Sequence, residues 1–377
     1  MIKIAFVIDT IDSPTGGTEK QLLLLIKHLD KTRFAPCLCV LYVSPWLREN
    51  FTLCPLIEIG VTSFKNPGAY RNIWKFSRFL KKEDIDIVQT HFVEGNKVGI
   101  VAAKLAGITT IISSRRNQGY WHKSIELRLL GLLNRCVTRY IANSANTREW
   151  ASATENIPLQ QIDVIHNGID LDLFAAATIG EKHEFRAMLN IPADGVLMGI
   201  VANLRPVKGI DVFVKAAEMV SQLIPNAYFI IVGEGEGAEE QRLKGMVADL
   251  KLSEKIHFLG KREDIPRILG CLDLGALTSH SESFSNSVVE YLAAGLPVVC
   301  TDVGGCREAV SDGFNGYVVP RGDHAMLARR IVEMIQGGRL GEMGIASKAK
   351  ALESFSLAAM VTAHENLYQQ VANGSNS

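Results

Sequence analysis

Two glutamates stand eight positions apart in the run Ser279-His280-Ser281-Glu282-Ser283-Phe284-Ser285-Asn286-Ser287-Val288-Val289-Glu290. Ser285, Asn286 and Ser287 carry the side chains that cap helix N-termini, which puts Glu290 about one turn into a helix and Glu282 in the polar loop before it. The spacing is too long for an i, i+4 pair on one helix face. It suits two carboxylates that accept hydrogen bonds from separate hydroxyls of one ligand lying across the helix N-terminus, and polyhydroxylated sugars are such ligands. Without a ligand, Glu282 would answer the helix dipole and Glu290 would be a solvated surface charge.

Positive charge lies upstream. Asn203-Leu204-Arg205-Pro206-Val207-Lys208-Gly209 places Arg205 and Lys208 three positions apart, after an apolar run at 196–202 and before an apolar helical pattern from Val212. Two cations at the carboxyl end of a strand can clamp a diphosphate without a metal; the alternative is a solvated loop. A second anion feature follows the first apolar run, which ends at Asp9: Ser13-Pro14-Thr15-Gly16-Gly17-Thr18-Glu19 leads into a helical run at 22–29. Gly16 and Gly17 would offer backbone N–H groups to an anion, or simply form a tight turn capped by Thr18. His91 closes the stretch Ile87-Val88-Gln89-Thr90 and, taken alone, reads as a satisfied structural histidine.

These groups need strands to present them. Short β-rich apolar runs alternate with helical patterns, the signature of βαβ units and parallel sheets covered on both faces. In the first half the spacing predicts strands at 2–8, 37–43, 55–59, 85–89, 110–113, 139–142 and 164–165. In the second half it predicts them at 196–202, 228–232, 256–259, 274–277, 298–300 and 317–319. Turn chemistry at Asn167-Gly168-Ile169-Asp170 places a domain boundary near 168–178, and the segment from about Ser356 is helical and able to pack on either domain.

Composition narrows the classes. A chain of 377 residues, at roughly 150 per domain, is two domains or three, and 47% apolar with 21% charged residues is ordinary globular usage. Aliphatic runs reach about five residues, as at 22–26, far below the roughly 20 of a transmembrane helix. Asp9 interrupts the N-terminal apolar run before a secretory segment forms, so a cytoplasmic protein is expected. Seven cysteines, odd in number and without Cys-x-x-Cys spacing, read as reduced small core residues. Net charge is zero, which gives nucleic-acid binding little support, but residues 1–165 hold 21 Lys and Arg against 14 Asp and Glu. The second half carries the opposite excess, so the two halves are expected to meet different partners. Neither half's first strand is followed by Gly-x-Gly-x-x-Gly, which weakens a dehydrogenase reading.

Two basic segments bear on a further partner. Residues 71–82 interleave Arg71, Lys75, Arg78, Lys81 and Lys82 with Trp74, Phe76 and Phe79 at helical spacing. That is either a helix resting on an anionic membrane surface or a covering helix with Ile73, Phe76 and Leu80 inward. Arg115, Arg116 and Asn117, with Tyr120-Trp121-His122-Lys123 beyond, follow a strand end and are the candidate acceptor-side contacts.

Glu282 and Glu290, followed by Ala293-Ala294-Gly295-Leu296-Pro297-Val298-Val299, Asp302-Val303-Gly304-Gly305 and Glu308, resemble the retaining glycosyltransferases of family four. Gly16-Gly17, His91, Asn167-Gly168-Ile169-Asp170, Arg205 and Lys208-Gly209 occur in the matching order, so the resemblance covers nearly the whole chain. It implies the α/β GT-B fold, two doubly wound Rossmann-like domains facing across a cleft, here 1–170 on the acceptor side and 171–355 for the nucleotide sugar, with the helix at about 356–377 able to pack back on the first. Arg205 and Lys208 would then neutralise the donor diphosphate, helped by backbone amides near Gly17 and at Ser285–Asn286. Ser283 and Phe284 would complete the donor loop, Glu282 would hold donor-sugar hydroxyls, and Glu290 the nucleotide ribose. His91 would lie near the transferred sugar and departing phosphate. Ser283 stands where the family often has glycine. The implied reaction is transfer with retention to a carbohydrate or lipid-linked acceptor, without cofactor or obligatory metal, in cell-surface polysaccharide or glycolipid synthesis. A sugar-nucleotide epimerase or hydrolase of the same fold, and a non-catalytic sugar-nucleotide-binding subunit, are the competing readings.

Overall fold

Near-continuous apolar strands require cover on both faces, and the chain supplies it with helices between successive strands. The computed structural model describes all residues except 15, 117–129, 236 and 375–377. The first sheet has seven parallel strands: β1 (Ile2–Ile8), β2 (Phe34–Val40), β3 (Leu56–Glu58), β4 (Ile87–Thr90), β5 (Thr110–Arg115), β6 (Arg139–Ala142) and β7 (Ile162–Val164). Their order is β3-β2-β1-β4-β5-β6-β7. The second has six: β8 (Val196–Val201), β9 (Ala227–Val232), β10 (Ile256–Gly260), β11 (Leu274–Leu277), β12 (Val298–Thr301) and β13 (Gly316–Val319), ordered β10-β9-β8-β11-β12-β13. In each sheet the winding reverses at one place, between β1 and β4 and between β8 and β11. The crevice outside the strand carboxyl ends at such a reversal is where open α/β sheets bind ligands.

The predicted strands form, with shifted ends. β2 begins at Phe34, three positions before the predicted start, because Pro36 fits inside it: Ile4 pairs with Pro36, while β3 pairs only with Leu38–Val40. The Leu38 N–H points toward the β3 side, donating to Pro55 O at 2.9 Å, so the missing N–H of Pro36 falls on the stretch that β3 does not reach. The helix after β1 spans Gly17–His28 with Gly16 at its cap, so the turn does not use Thr18 as N-cap.

The chain divides into two units, Met1–Gly168 with the segment from Ala358, and Ile169–Leu357. Two main-chain bonds staple the passages within the second unit: Ile169 N–H donates to Phe355 O and Leu357 N–H to Ile169 O, both at 2.9 Å. The final helix, Leu357–Gly374, packs on the first unit, where Glu365 accepts from Asp30 N–H at 2.9 Å and from Arg33 Nη1 at 3.2 Å. The first unit's core gathers Ala5, Val7, Val88, Ile111 and Tyr140 under the helices of one face. The second sheet is sandwiched by two clusters, one around Met198, Ile200 and Phe213, the other around Leu197, Tyr291 and Val298.

The basic segment is a helix, Gly68–Lys82, with Ile73, Phe76 and Leu80 buried. Its outer face shows Trp74, 55% exposed, with the Arg78 guanidinium 5.7 Å above the indole ring. All seven cysteines are free. Among the described residues no helix is long and apolar enough to cross a membrane.

Candidate functional site

The second unit assembles its charged groups at the β8/β11 reversal. After β8 the chain runs through Arg205 and a single turn at Pro206–Lys208 to Gly209, which opens the helix Ile210–Leu223. Gly209 has φ +61°, and a Cβ there would lie 2.2 Å from Thr278 O, so only glycine lets the Lys208 loop close on the β11 loop. The loops are stitched directly: His280 N–H donates to Val207 O at 2.7 Å and Thr278 Oγ1 to Lys208 O at 3.1 Å. Lys208 Nζ then reaches Glu282 Oε1 at 2.6 Å, and Ser279 Oγ donates to the same oxygen at 2.7 Å. Among the described residues nothing hydrogen-bonds Oε2. The Lys208 side chain is 27% exposed and that of Glu282 12%, so the pair sits at a partly dry edge where Coulomb attraction is little screened.

Gly304 supports the loop from the other side. With φ +52° it lies so close that a Cβ would stand 2.3 Å from Glu282 O, and the next residue, Gly305, donates its N–H to Ser283 O at 2.9 Å. Phe284 is buried, its ring tilted on Phe355 at 5.6 Å, which pins the loop to the core. Ser285 caps the helix Asn286–Ala293, accepting from Val288 N–H at 3.5 Å. Glu290 is half-buried on that helix, about a turn past the cap. Tyr291 and Ser287 fix the helix to β8, the tyrosine hydroxyl accepting from Val201 N–H at 2.7 Å and the serine donating to Val201 O at 2.8 Å. Arg205 is exposed on the same rim. Farther along, Arg262 is held by Asp264 through two bonds of 2.7 Å.

The first unit has its own crevice at the β1/β4 reversal. A cavity of about 270 Å³ is lined by Asp9, Thr18, His91, Asn96, Arg116 and Trp150 among others. Asp9 ends β1, and burial pushes its carboxyl up to about 6 although Gly95 N–H donates to it at 2.6 Å. A carboxyl titrating there can exchange a proton near neutral pH. His91 is 2% exposed; burial, then the Arg116 charge and His364, push it down to about 3, so the imidazole is neutral. Its Nδ1 has no hydrogen-bond partner among the described residues. The following residue, Phe92, has φ +58°, a backbone conformation costly for any side chain and one that concentrates at functional sites. Gly16 and Gly17 open their helix as expected, but the Glu19 carboxylate stands 2.4 Å from where a Gly16 Cβ would begin. An anion at this N-terminus therefore has to displace that carboxylate.

Of the acceptor-side residues, Arg115 lines the cavity with its guanidinium bonded within the protein. It grips Glu155 through Nε at 2.9 Å and Nη2 at 2.8 Å, donates to Asn134 Oδ1 at 3.0 Å and Ser113 Oγ at 2.5 Å, and lies 5.1 Å over Tyr140. A fork already matched to a buried carboxylate has its charge spent internally. Arg116 lines the cavity; burial pushes it down to about 10, which leaves it charged at neutral pH, and it donates to Asn167. Asn117 and residues 120–123 lie outside the described residues. Among those described, no group of three or more His, Cys, Asp or Glu side chains is placed to hold a metal. Sequence reasoning missed Asp9, Gln89, Glu155 and Tyr368; only Asp9 had a signal, as the polar residue closing an apolar strand.

The chain matches the profile of Glycosyltransferase Family 4 over residues 15–173 and that of Glycosyl transferases group 1 over residues 181–350. The UDP-Gal:alpha-D-GlcNAc-diphosphoundecaprenol alpha-1,3-galactosyltransferase of Escherichia coli is 27% identical over 338 residues, covering 85% of this chain and 87% of that protein. The D-inositol 3-phosphate glycosyltransferase of Mycobacteroides abscessus is 34% identical over 187 residues, 48% of this chain and 41% of the relative. The crystal structure of Anabaena HepE in complex with UDP superposes with a TM-score of 0.85 at 23% identity, over 98% of this chain and 100% of that one. With two doubly wound parallel sheets and both profiles in register with them, the chain belongs to the family-four glycosyltransferases of GT-B fold.

Proposed function

We propose that this glycosyltransferase moves a sugar, with retention at C1, from a nucleoside-diphosphate sugar to a hydroxyl of a lipid-linked carbohydrate acceptor. The observation that carries the reading is the Lys208–Glu282 pair at the β8/β11 reversal, with both hydrogen bonds on Oε1 and Oε2 left for a ligand. A Lys ammonium has three N–H donors and Glu282 takes one, so the others can turn to a diphosphate while the pair persists. Arg205 adds a second cation on the same rim, Glu282 Oε2 accepts from donor-sugar hydroxyls, and Glu290 accepts from the ribose. Charge building on the departing phosphate is met by these cations and the amides at Ser285–Asn286. The C1–O bond to phosphate breaks as the acceptor oxygen attacks the same face, and the acceptor proton passes to the departing phosphate oxygen. The products are the nucleoside diphosphate and the glycosylated acceptor. His91, a neutral imidazole, is assigned to the transferred sugar.

The choice of substrates leans on the relatives. HepE was crystallised with UDP and with UDP-glucose, and the Escherichia coli relative takes UDP-Gal and a diphosphoundecaprenol-linked GlcNAc. UDP-sugars are therefore the first donors to try, ahead of GDP- and ADP-sugars, with a lipid-diphosphate-linked GlcNAc as acceptor. The test is transfer by mass spectrometry and the anomeric configuration of the product by NMR. An inverted anomer would overturn retention, and release of free sugar or an isomer with no acceptor consumed would establish the hydrolase or epimerase reading instead.

A further inference from the structure

Gln89 and His91 alternate by two along the carboxyl end of β4, so their side chains share one face of the sheet. Both are buried, and Gln89 Nε2 lies 3.3 Å from His91 Nε2. The other end of the carboxamide is claimed from far along the chain: Tyr368, on the final helix, donates its hydroxyl to Gln89 Oε1 at 2.6 Å. Tyr368 is fully buried and cannot swing away, because its ring sits edge-on to Phe34 at 5.9 Å and to Phe6 at 6.4 Å.

A carboxamide has direction. With Oε1 accepting from Tyr368, its NH₂ end faces His91, and an NH₂ only donates. His91 Nε2 must then be the bare, accepting nitrogen, which places the ring proton on Nδ1. Nδ1 is the atom left without a partner among the described residues, on a residue that lines the first unit's cavity. We infer that Tyr368 is a positioning residue that works through Gln89 to hold His91 as the neutral Nδ1–H tautomer, a single buried N–H donor beside the first unit's cavity. Burial supports this, since it keeps the ring neutral and so keeps a choice of tautomer in being. The inference about the tautomer stands on the unliganded protein. Its catalytic consequence rests on the proposed role of His91 at the transferred sugar: Nδ1, shut off from solvent without a ligand, would there donate to an oxygen and take no proton.

The test is a long-range ¹H–¹⁵N spectrum of the full-length, ¹⁵N-histidine-labelled protein without substrate, with His91 assigned by its loss in His91→Gln. Wild type should show a protonated Nδ1 and a bare Nε2. Tyr368→Phe keeps the ring and its packing but frees Gln89 to turn, so the Nε2–H form should appear. Gln89→Glu offers His91 only acceptors and should drive the proton to Nε2. A wild-type Nε2–H signature, or a tautomer unmoved in both variants, overturns the inference. Turnover separates it from the reading it rests on. Losing the partner that fixes an imidazole's tautomer should cost about tenfold or more in kcat. A shifted tautomer in Tyr368→Phe with unchanged turnover overturns the placement of His91 at the reacting sugar.

Discussion

Lys208 and Glu282 satisfy each other at 2.6 Å, so removing either one both vacates a proposed ligand contact and strands a charge. The two effects separate by choice of substitution. Glu282→Gln keeps the shape and the bond from Ser279, whereas Glu282→Ala and Lys208→Ala delete the group. Turnover should fall about 100-fold or more in both alanine variants, the scale of losing one preorganised electrostatic contact, while circular dichroism stays native. Near-normal transfer in either variant would sink the site assignment. On the proposed function, activity should persist after exhaustive EDTA treatment, because Arg205, Lys208 and helix amides would meet the diphosphate charge. A loss that Mg²⁺ or Mn²⁺ restores would refute this. Residues of this kind were legible as candidates by type and local spacing, although the pairing of Lys208 with Glu282 spans 74 positions and was not. Tyr368 and Gln89 were not, since their meaning lies in a contact across 279 positions, and Arg115 misled because its match, Glu155, is 40 positions away.

Elements were more legible than their partners. Strands buried on both faces leave contiguous apolar runs that name themselves, and only the ends moved, as at Pro36, where the cost of a missing N–H depends on a neighbouring strand the sequence does not reveal. The helix Gly68–Lys82 shows the opposite limit. Its inward Ile73, Phe76 and Leu80 followed from periodicity, but an outer face with Trp74 under Arg78 and with Lys75, Lys81 and Lys82 exposed is compatible with solvent or with lipid. Each surface cation near an anionic leaflet contributes on the order of 1 kcal/mol, screened over about 8 Å at physiological salt. Binding to vesicles containing anionic lipid should therefore be measurable at low salt and weaken steeply as salt rises. Charge reversal at Lys75, Arg78, Lys81 and Lys82 should abolish it and leave nucleotide-sugar affinity unchanged, since these residues lie on the first unit and the proposed donor site on the second. Wild-type protein that ignores such vesicles in a sedimentation assay would assign the helix to plain cover.

At the scale of the whole molecule, acid should unfold the two units unequally. His91 and His364, both buried in the first unit, are pushed down by burial to about 3 and about 4. Their ordinary value is about 6.5, so between that pH and the folded value the unfolded chain binds the extra proton, and stability falls as pH falls. Each contributes a slope of about 1.4 kcal/mol per pH unit in its window. Asp9 works against them: its carboxyl is raised to about 6, so from there down to its ordinary value of 3.8 the folded state holds the extra proton, offsetting roughly one histidine. Both histidines therefore act together from pH 6.5 to 6, and one net histidine acts from 6 to about 4. In the second unit burial also lowers His257, which is only partly buried and has a correspondingly smaller pull. The depressed carboxylates Glu181, Glu239, Asp264 and Glu333 lose their contribution only below about 4.5, outside this window. From pH 7 to pH 5 the first unit should lose about 2.5 kcal/mol, a fall of roughly 5–10 °C in its Tm for a unit of this size. Hydrogen exchange resolved by peptide should show β1, β4 and the helix Leu357–Gly374 losing protection at pH 5 while β8 and β11 keep theirs. Equal loss in both units would mean that these buried histidines do not govern the acid response. His364→Gln, which removes one buried imidazole and keeps a polar side chain, should flatten the slope of the first unit by about 1.4 kcal/mol per pH unit.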